Sequence, residues 1–461
     1  MMTADRRAPV HEIIGALRGA LTELGSNASV AEMEAWGFSI HAALSGGRRH
    51  FHNHAHIMEV MADLSGLDVL AALYHDVVYV QVDRGWPRTL RDQLSPVLAA
   101  EPGPMANAGA DALGPTQGWR VLPAPAGSAV ADVLAVFGRT TGEVITPGMG
   151  LNELASALVA AVHLQHALDR RQLIALVACI EQTIPFREDP AGELHQRLGQ
   201  LGLQGGQREQ VLERAVRFGN SDVANFASER PQRFLENTWK LLAESNPAFQ
   251  SPLVYTVAEY RLALRRMESF LAGLVPEHIF HRWGSEPEAE LHSLRLRRAA
   301  DNLDLGLRYM RAKLYSIGIA EALAHLTGGD VPLDYFMGGV DSSSGSAPRR
   351  IEQFLPALPS ASAVDPRLQD LLTEGRADES TFDTGPSPLG AFLHAAVGEA
   401  GVMRGFEAAR RWWDGDQDAA SFLAGQPPAP VAGIARAAAS IMESRRDRLL
   451  ALAQRIDRAH V

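Results

Sequence analysis

A chain of 461 residues has room for two or three domains, and 46% hydrophobic residues can bury a sizeable core, which argues against wholesale disorder. The formal net charge of -11 argues against a nucleic acid polymer as partner, because phosphate binding needs a basic surface. The single cysteine, Cys179, excludes an intramolecular disulfide and fits a cytoplasmic setting; no apolar run is long enough for a bilayer, and the first residues do not read as a signal peptide.

In chain order, residues 10–44 read as two helices, with Ile13, Ile14, Leu17 and Leu21 at helical spacing, Asn27 or Ser29 capping the second, and Ser45-Gly46-Gly47 ending it. A histidine-rich stretch follows. Ile57, Val60, Met61 and Leu64 continue a helical stripe, Gly66 breaks it, and Val69, Leu70, Leu73 and Tyr74 form a buried helix ending near His75-Asp76. Residues 84–150 are dense in Pro, Gly and Ala and predict a loop-rich insertion with one short helix at 129–137, placed where a lid over a site is common. Helices are predicted at 151–168, 171–183, 190–218 (one or two), 231–243, 253–274 and 288–327, with GNSDVANF at 219–226 as a polar interruption. Residues 341–366 read as a linker and 367–461 as a helical region whose last helix, 430–459, is Ala-rich and a candidate for homodimer contact. No alternating strand pattern stands out. The fold expected is all-α, with domain 1–340, linker 341–366 and C-terminal region 367–461.

The chemistry concentrates in residues 48–83, RRHFHNHAHIMEVMADLSGLDVLAALYHDVVYVQVD, which hold five of the 16 histidines and a His-Asp doublet. Histidine with carboxylate is the usual donor set for Zn, Fe, Mn and related divalent ions. His52 and His56 lie four apart, as do His50 and His54, so helical spacing puts each pair on one face. His56, His75 and Asp76 make three ligands of a chelate. The candidate for a fourth is Asp222, an acid in a polar island between apolar helices, where an unpaired carboxylate is costly to bury. Taken alone, Asp222 reads better as a helix N-cap.

FHNHAHI (51–57) and YHDVVY (74–79) carry a resemblance. The H…HD…D arrangement resembles the HD superfamily of metal-dependent phosphohydrolases, and is similar to a bacterial subgroup with an (Y/F)HNxxH(A/I) signature and an HDxxY form. The likeness covers roughly residues 30–230. It implies an HD-type helical bundle in which His56, His75, Asp76 and Asp222 hold a first divalent ion (Mn, Mg, Zn or Fe), with Asp76 able to bridge to a second. It implies His52 as general acid and Asn53 as a residue that steadies the turn or bonds a ligand. Val77-Val78-Tyr79 departs from the cyclic-nucleotide phosphodiesterases, and no nucleotide-clamping glutamine is identifiable. The substrate expected is a small phosphorylated metabolite or nucleotide.

Further residues have two readings each. Arg48 and Arg49 could grip phosphate or form a surface turn. Tyr79 lines the pocket or packs. His163 and His166, three apart on a helix, could serve a second metal, or be one packed and one surface histidine. Glu181 could contact water at the metal or be an ordinary helix-end acid. Trp412-Trp413 beside Arg410-Arg411 is an interaction patch or a packed helix end. Two other functions remain open: a diiron oxygenase on the same fold, and a non-catalytic ligand-binding or scaffold module.

Overall fold

The computed structural model describes residues 8–101, 118–250, 254–339, 349–378, 380 and 382–458. The chain is mostly helical, as the sequence predicts, and divides into two compact units. Unit 1 comprises residues 1–227 and 275–298; unit 2 comprises 228–274 and 299–461.

Unit 1 starts with α1 (Pro9–Glu23) and α2 (Val30–Leu44). Ser29 caps α2 in a capping box with Glu32, one of the two caps expected. Then come α3 (His54–Met61), α4 (Gly66–Tyr74), and the short α5 (Val80–Asp83) and α6 (Arg91–Leu94). Gly66 does not merely break a stripe. It opens α4 at φ +51°, and its amide donates to the Glu23 carboxylate at 2.9 Å, where a Cβ would crowd that carboxylate.

The stretch 84–150 holds more order than its composition suggests. Besides the expected helix α7 (Ala129–Val136), it carries an antiparallel sheet of β1 (Leu98–Glu101), β2 (Gly118–Val121) and β3 (Val144–Ile145), with Leu98 opposite Val121 and Trp119 opposite Ile145. These strands are too short for an alternating pattern to register, and β1 is built from weak strand formers. Part of the expected lid, residues 102–117, lies outside the described residues.

Next come α8 (Leu151–Leu164), α9 (Arg170–Gln182), α10 (Pro190–Gln200) and α11 (Gly206–Asp222). Helices α4, α8 and α9 are buried on almost every side and form the centre of unit 1. Residues 219–222 are the last turn of α11, not an interruption between helices. Gly219 permits this: a Cβ there would stand 2.7 Å from the Gln182 carbonyl oxygen at the end of α9. The returning segment 275–298, with α14 (Pro276–Ile279), is tied to α11. Trp283 Nε1 donates to Glu209 at 2.7 Å, and Arg217 pairs with Glu286 at 3.2 Å.

Unit 2 contains α12 (Pro231–Ser245), α13 (Val257–Ala272), most of α15 (Ala289–Gly328), α16 (Leu333–Met337), α17 (Pro366–Glu374), α18 (Pro388–Trp413), α19 (Ala419–Ala424), α20 (Pro428–Ile441) and α21 (Arg446–Arg458). The expected linker at 341–366 does not separate the units: its described residues belong to unit 2, where Ile351 is fully buried. The expected last helix is two, because Met442 leaves helical geometry (φ -83°, ψ 82°), and the apolar face of α20 packs on α21. Trp412-Trp413 is a packed helix end: Trp412 stacks on Phe422 and Trp413 donates to Glu321. No helix among the described residues is long and apolar enough to cross a membrane.

Candidate metal centre

Three elements bring the expected ligands together. Helix α4 ends at Tyr74, so His75 is its C-cap and Asp76 follows in the turn. Asn53 caps α3, accepting from the amides of Ala55 and His56 and donating to the carbonyls of Arg49 and His50. Of the two uses the resemblance implies for Asn53, it therefore makes the turn contact. His56 lies in the first turn of α3, while His50 and His52 precede the helix. The reading of both histidine pairs as faces of one helix thus fails at Asn53. The fourth group, Asp222, is the last residue of α11 and not an N-cap; Asn220 fixes that end by exchanging two hydrogen bonds with the backbone of His281.

His56 Nε2 lies 3.1 Å from Asp222 Oδ1 and 3.5 Å from Asp76 Oδ2; His75 Nε2 lies 3.2 Å and 3.0 Å from the same two oxygens. All four donors lie within 4.8 Å of one another. Donors about 2.1 Å from one ion stand about 3.0–3.4 Å apart along the edges of an octahedron or tetrahedron, so these spacings suit a single divalent cation. Asp76 Oδ2 is buried and faces the Nε2 atoms of both His56 and His75, the position a ligand oxygen would take. His75 Nδ1 lies 2.9 Å from the Ala72 carbonyl, an acceptor that requires the proton on Nδ1 and leaves the Nε2 lone pair for a metal.

The electrostatics fit the same donor set. Burial opposes ionisation of Asp76 and Asp222, yet the facing histidines outweigh it. Asp76 is held far below the usual carboxylate range, chiefly by His75 and then His52, and Asp222 is lowered to about 2 by His75 and His56. Burial likewise opposes charge on His75, but Asp76 and Asp222 raise it well above the ordinary histidine range. The two carboxylates thus stay charged, and protons on imidazole occupy the place a cation would take.

The other expected site residues divide. His52 sits beside Asp76, with its ring 4.1 Å from that of Tyr79 and 6.1 Å from that of His56. Arg49 is not available to grip phosphate. Its side chain is fully buried, pairs with Asp83 at 2.6 Å, and donates to the carbonyls of His52, Asp76 and Val77. Arg48 is half-buried and donates to the Val82 carbonyl at 3.3 Å. His163 and His166 do not form a second centre. His163 bonds Tyr74 at 3.0 Å and Gln93 at 2.9 Å, and burial lowers it to about 4, while His166 is exposed. Glu181 is locked between Arg187 and Arg197 at 2.6 and 2.8 Å.

Glu153 on α8 escaped the sequence reading. Its Oε2 is buried with no hydrogen-bond partner among the described residues. Burial, with Asp76 and Asp222 adding to it, raises the carboxyl to about 7. Helical spacing could have pointed to it: Asn152 accepts from the Val80 amide and Ser156 from the Val78 amide, so α8 docks on the segment following the His-Asp doublet. No protein-family model matches the sequence, and neither curated proteins nor solved structures gave a match.

Proposed function

We propose that the chain is a metal-dependent phosphohydrolase of the HD type, cleaving a phosphate ester of a small metabolite or nucleotide. The observation that carries this reading is the convergence of His56, His75, Asp76 and Asp222 from three separate elements on one ion-sized space. Two carboxylates and two neutral imidazoles leave a divalent cation nearly balanced, with positive character for a phosphate. When bound, the ion would lower the pKa of a water and offset charge on the non-bridging oxygens. His52, beside Asp76, is the group suited to protonate the leaving oxygen, and Tyr79 packs against its ring. Arg49 acts through the backbone, by holding the carbonyls of His52 and Asp76 on one guanidinium. The oxygenase reading would need donors for a second iron, and Tyr74 and Gln93 engage His163 instead.

The test is metal content together with hydrolysis of p-nitrophenyl phosphate and a panel of nucleoside monophosphates, wild type against Asp76→Ala. Loss of both bound metal and turnover in the variant is expected. Unchanged hydrolysis by Asp76→Ala would overturn the proposal, and a wild type that binds metal but cleaves none of the panel would favour a binding module.

A further inference from the structure

Glu153 carries a buried carboxylate oxygen that the ligand set does not use. Its Oε2 has no hydrogen-bond partner among the described residues, and its neighbours on α8, Asn152 and Ser156, dock on the backbone just after Asp76, so it lies on the helix that packs beside that ligand without being one of the four converging donors. Its place is set by the backbone. Ser156 and Asn152 receive the amides of Val78 and Val80 at 3.1 and 3.0 Å, and Asn152 also donates to Gln81 at 3.0 Å, which clamps α8 across the turn that carries Asp76. Nearby acids on neighbouring helices are already engaged: Asp132 with Arg170, Glu181 with Arg187 and Arg197, and Asp68 with Arg214. Arg187, the cation that bears on Glu153, is itself held by Glu181. A buried oxygen lacking a partner at such a place is explained by a water held there when the site is loaded.

We propose that Glu153 is a catalytic residue, the general base that hydrogen-bonds the attacking water and takes its proton. This rests on the hydrolase reading given above. The water oxygen forms the bond to phosphorus while the bond from phosphorus to the leaving oxygen breaks. The water proton passes to the Glu153 carboxylate, and the leaving oxygen receives its proton from His52. A carboxyl poised near neutrality suits that exchange, and an incoming cation favours its ionised form.

Glu153→Gln keeps the shape and removes the base. The test uses the full chain loaded with Co2+, whose visible spectrum reports ionisation at the site without turnover. The variant is expected to bind one Co2+ with affinity near that of wild type and to melt no lower than wild type. Its pH-dependent spectral transition should move by about one unit or more, and hydrolysis of p-nitrophenyl phosphate should fall about 100- to 1000-fold at neutral pH. Glu153→Asp, which retains a carboxylate, should keep a spectral transition at reduced turnover, separating loss of the base from a packing defect. An unmoved transition in Glu153→Gln, or a tenfold or greater loss of Co2+ affinity, would overturn the assignment. If wild type cleaves no phosphate ester, the hydrolase reading fails, and the spectral comparison alone then decides whether Glu153 faces the water.

Discussion

Asp76 and Glu153 each have a buried carboxylate oxygen in unit 1, yet their surroundings drive them apart. Asp76 stays ionised against its burial because of His75, His52 and His56, while burial, with the charges of Asp76 and Asp222 adding to it, raises Glu153 to about 7. That difference has a consequence for stability. In the unfolded chain Glu153 loses its proton near 4.5, while in the folded, metal-free chain it keeps it until about 7. Between those values the folded state binds more protons than the unfolded one, so stability falls as pH rises, by about 3 kcal/mol in all. Glu153→Gln removes the dependence. Melting temperatures of the two metal-free proteins should therefore diverge from pH 4.5 to 7, with the variant increasingly the more stable, and then run parallel. A gap that stays constant over that range would show that Glu153 ionises in the folded chain as it does in the unfolded one.

Among elements, the segment joining α2 to α3 depends most on one side chain. Arg49 fills its five donor positions with Asp83 and three carbonyls, and so fastens the His52 loop and the His-Asp turn to α5. Arg49→Met leaves the Asp83 carboxylate and those carbonyls without their partner. We expect a loss of about 3–5 kcal/mol in unfolding free energy and weaker Zn2+ binding in calorimetry, although Arg49 is no ligand. Near-wild-type metal affinity in a destabilised Arg49→Met would show that the ligands hold their geometry without the clamp. The sequence made the histidines and the doublet conspicuous because residue type and spacing are local. The same local view left Arg49 as a phosphate grip or part of a surface turn, both accessible positions; only the fold reveals the carbonyls that enclose it. Asp222 shows the opposite limit. Its chemistry was legible, but its place at a helix C-terminus depends on Gly219 allowing α11 to approach α9.

For the whole molecule, composition placed the division at a Gly-, Ser- and Pro-rich stretch, whereas it falls where the backbone changes core. Residues 275–298 return to unit 1 through the contacts of Trp283 and Glu286 with α11, long-range pairings that no local pattern announces. Each unit has its own polar anchor. In unit 2, buried Asp383 accepts from Trp239 at 2.8 Å and Tyr260 at 2.5 Å, and faces Lys313 at 3.1 Å and Arg376 at 3.5 Å. Asp383→Ala leaves two buried cations without that carboxylate and should cost about 3–5 kcal/mol. A metal ion, by contrast, stabilises by mass action the unit that holds its ligands. Hydrogen exchange followed by mass spectrometry separates the two effects. Added Zn2+ should slow exchange in α3, α4 and α11, and Asp383→Ala should speed it in α12, α13 and the later turns of α15. Equal protection of both units by the ion, or unchanged exchange of α12 and α13 in the variant, would mean that stability is not partitioned along the division at Ser228, since each perturbation touches residues of one unit alone.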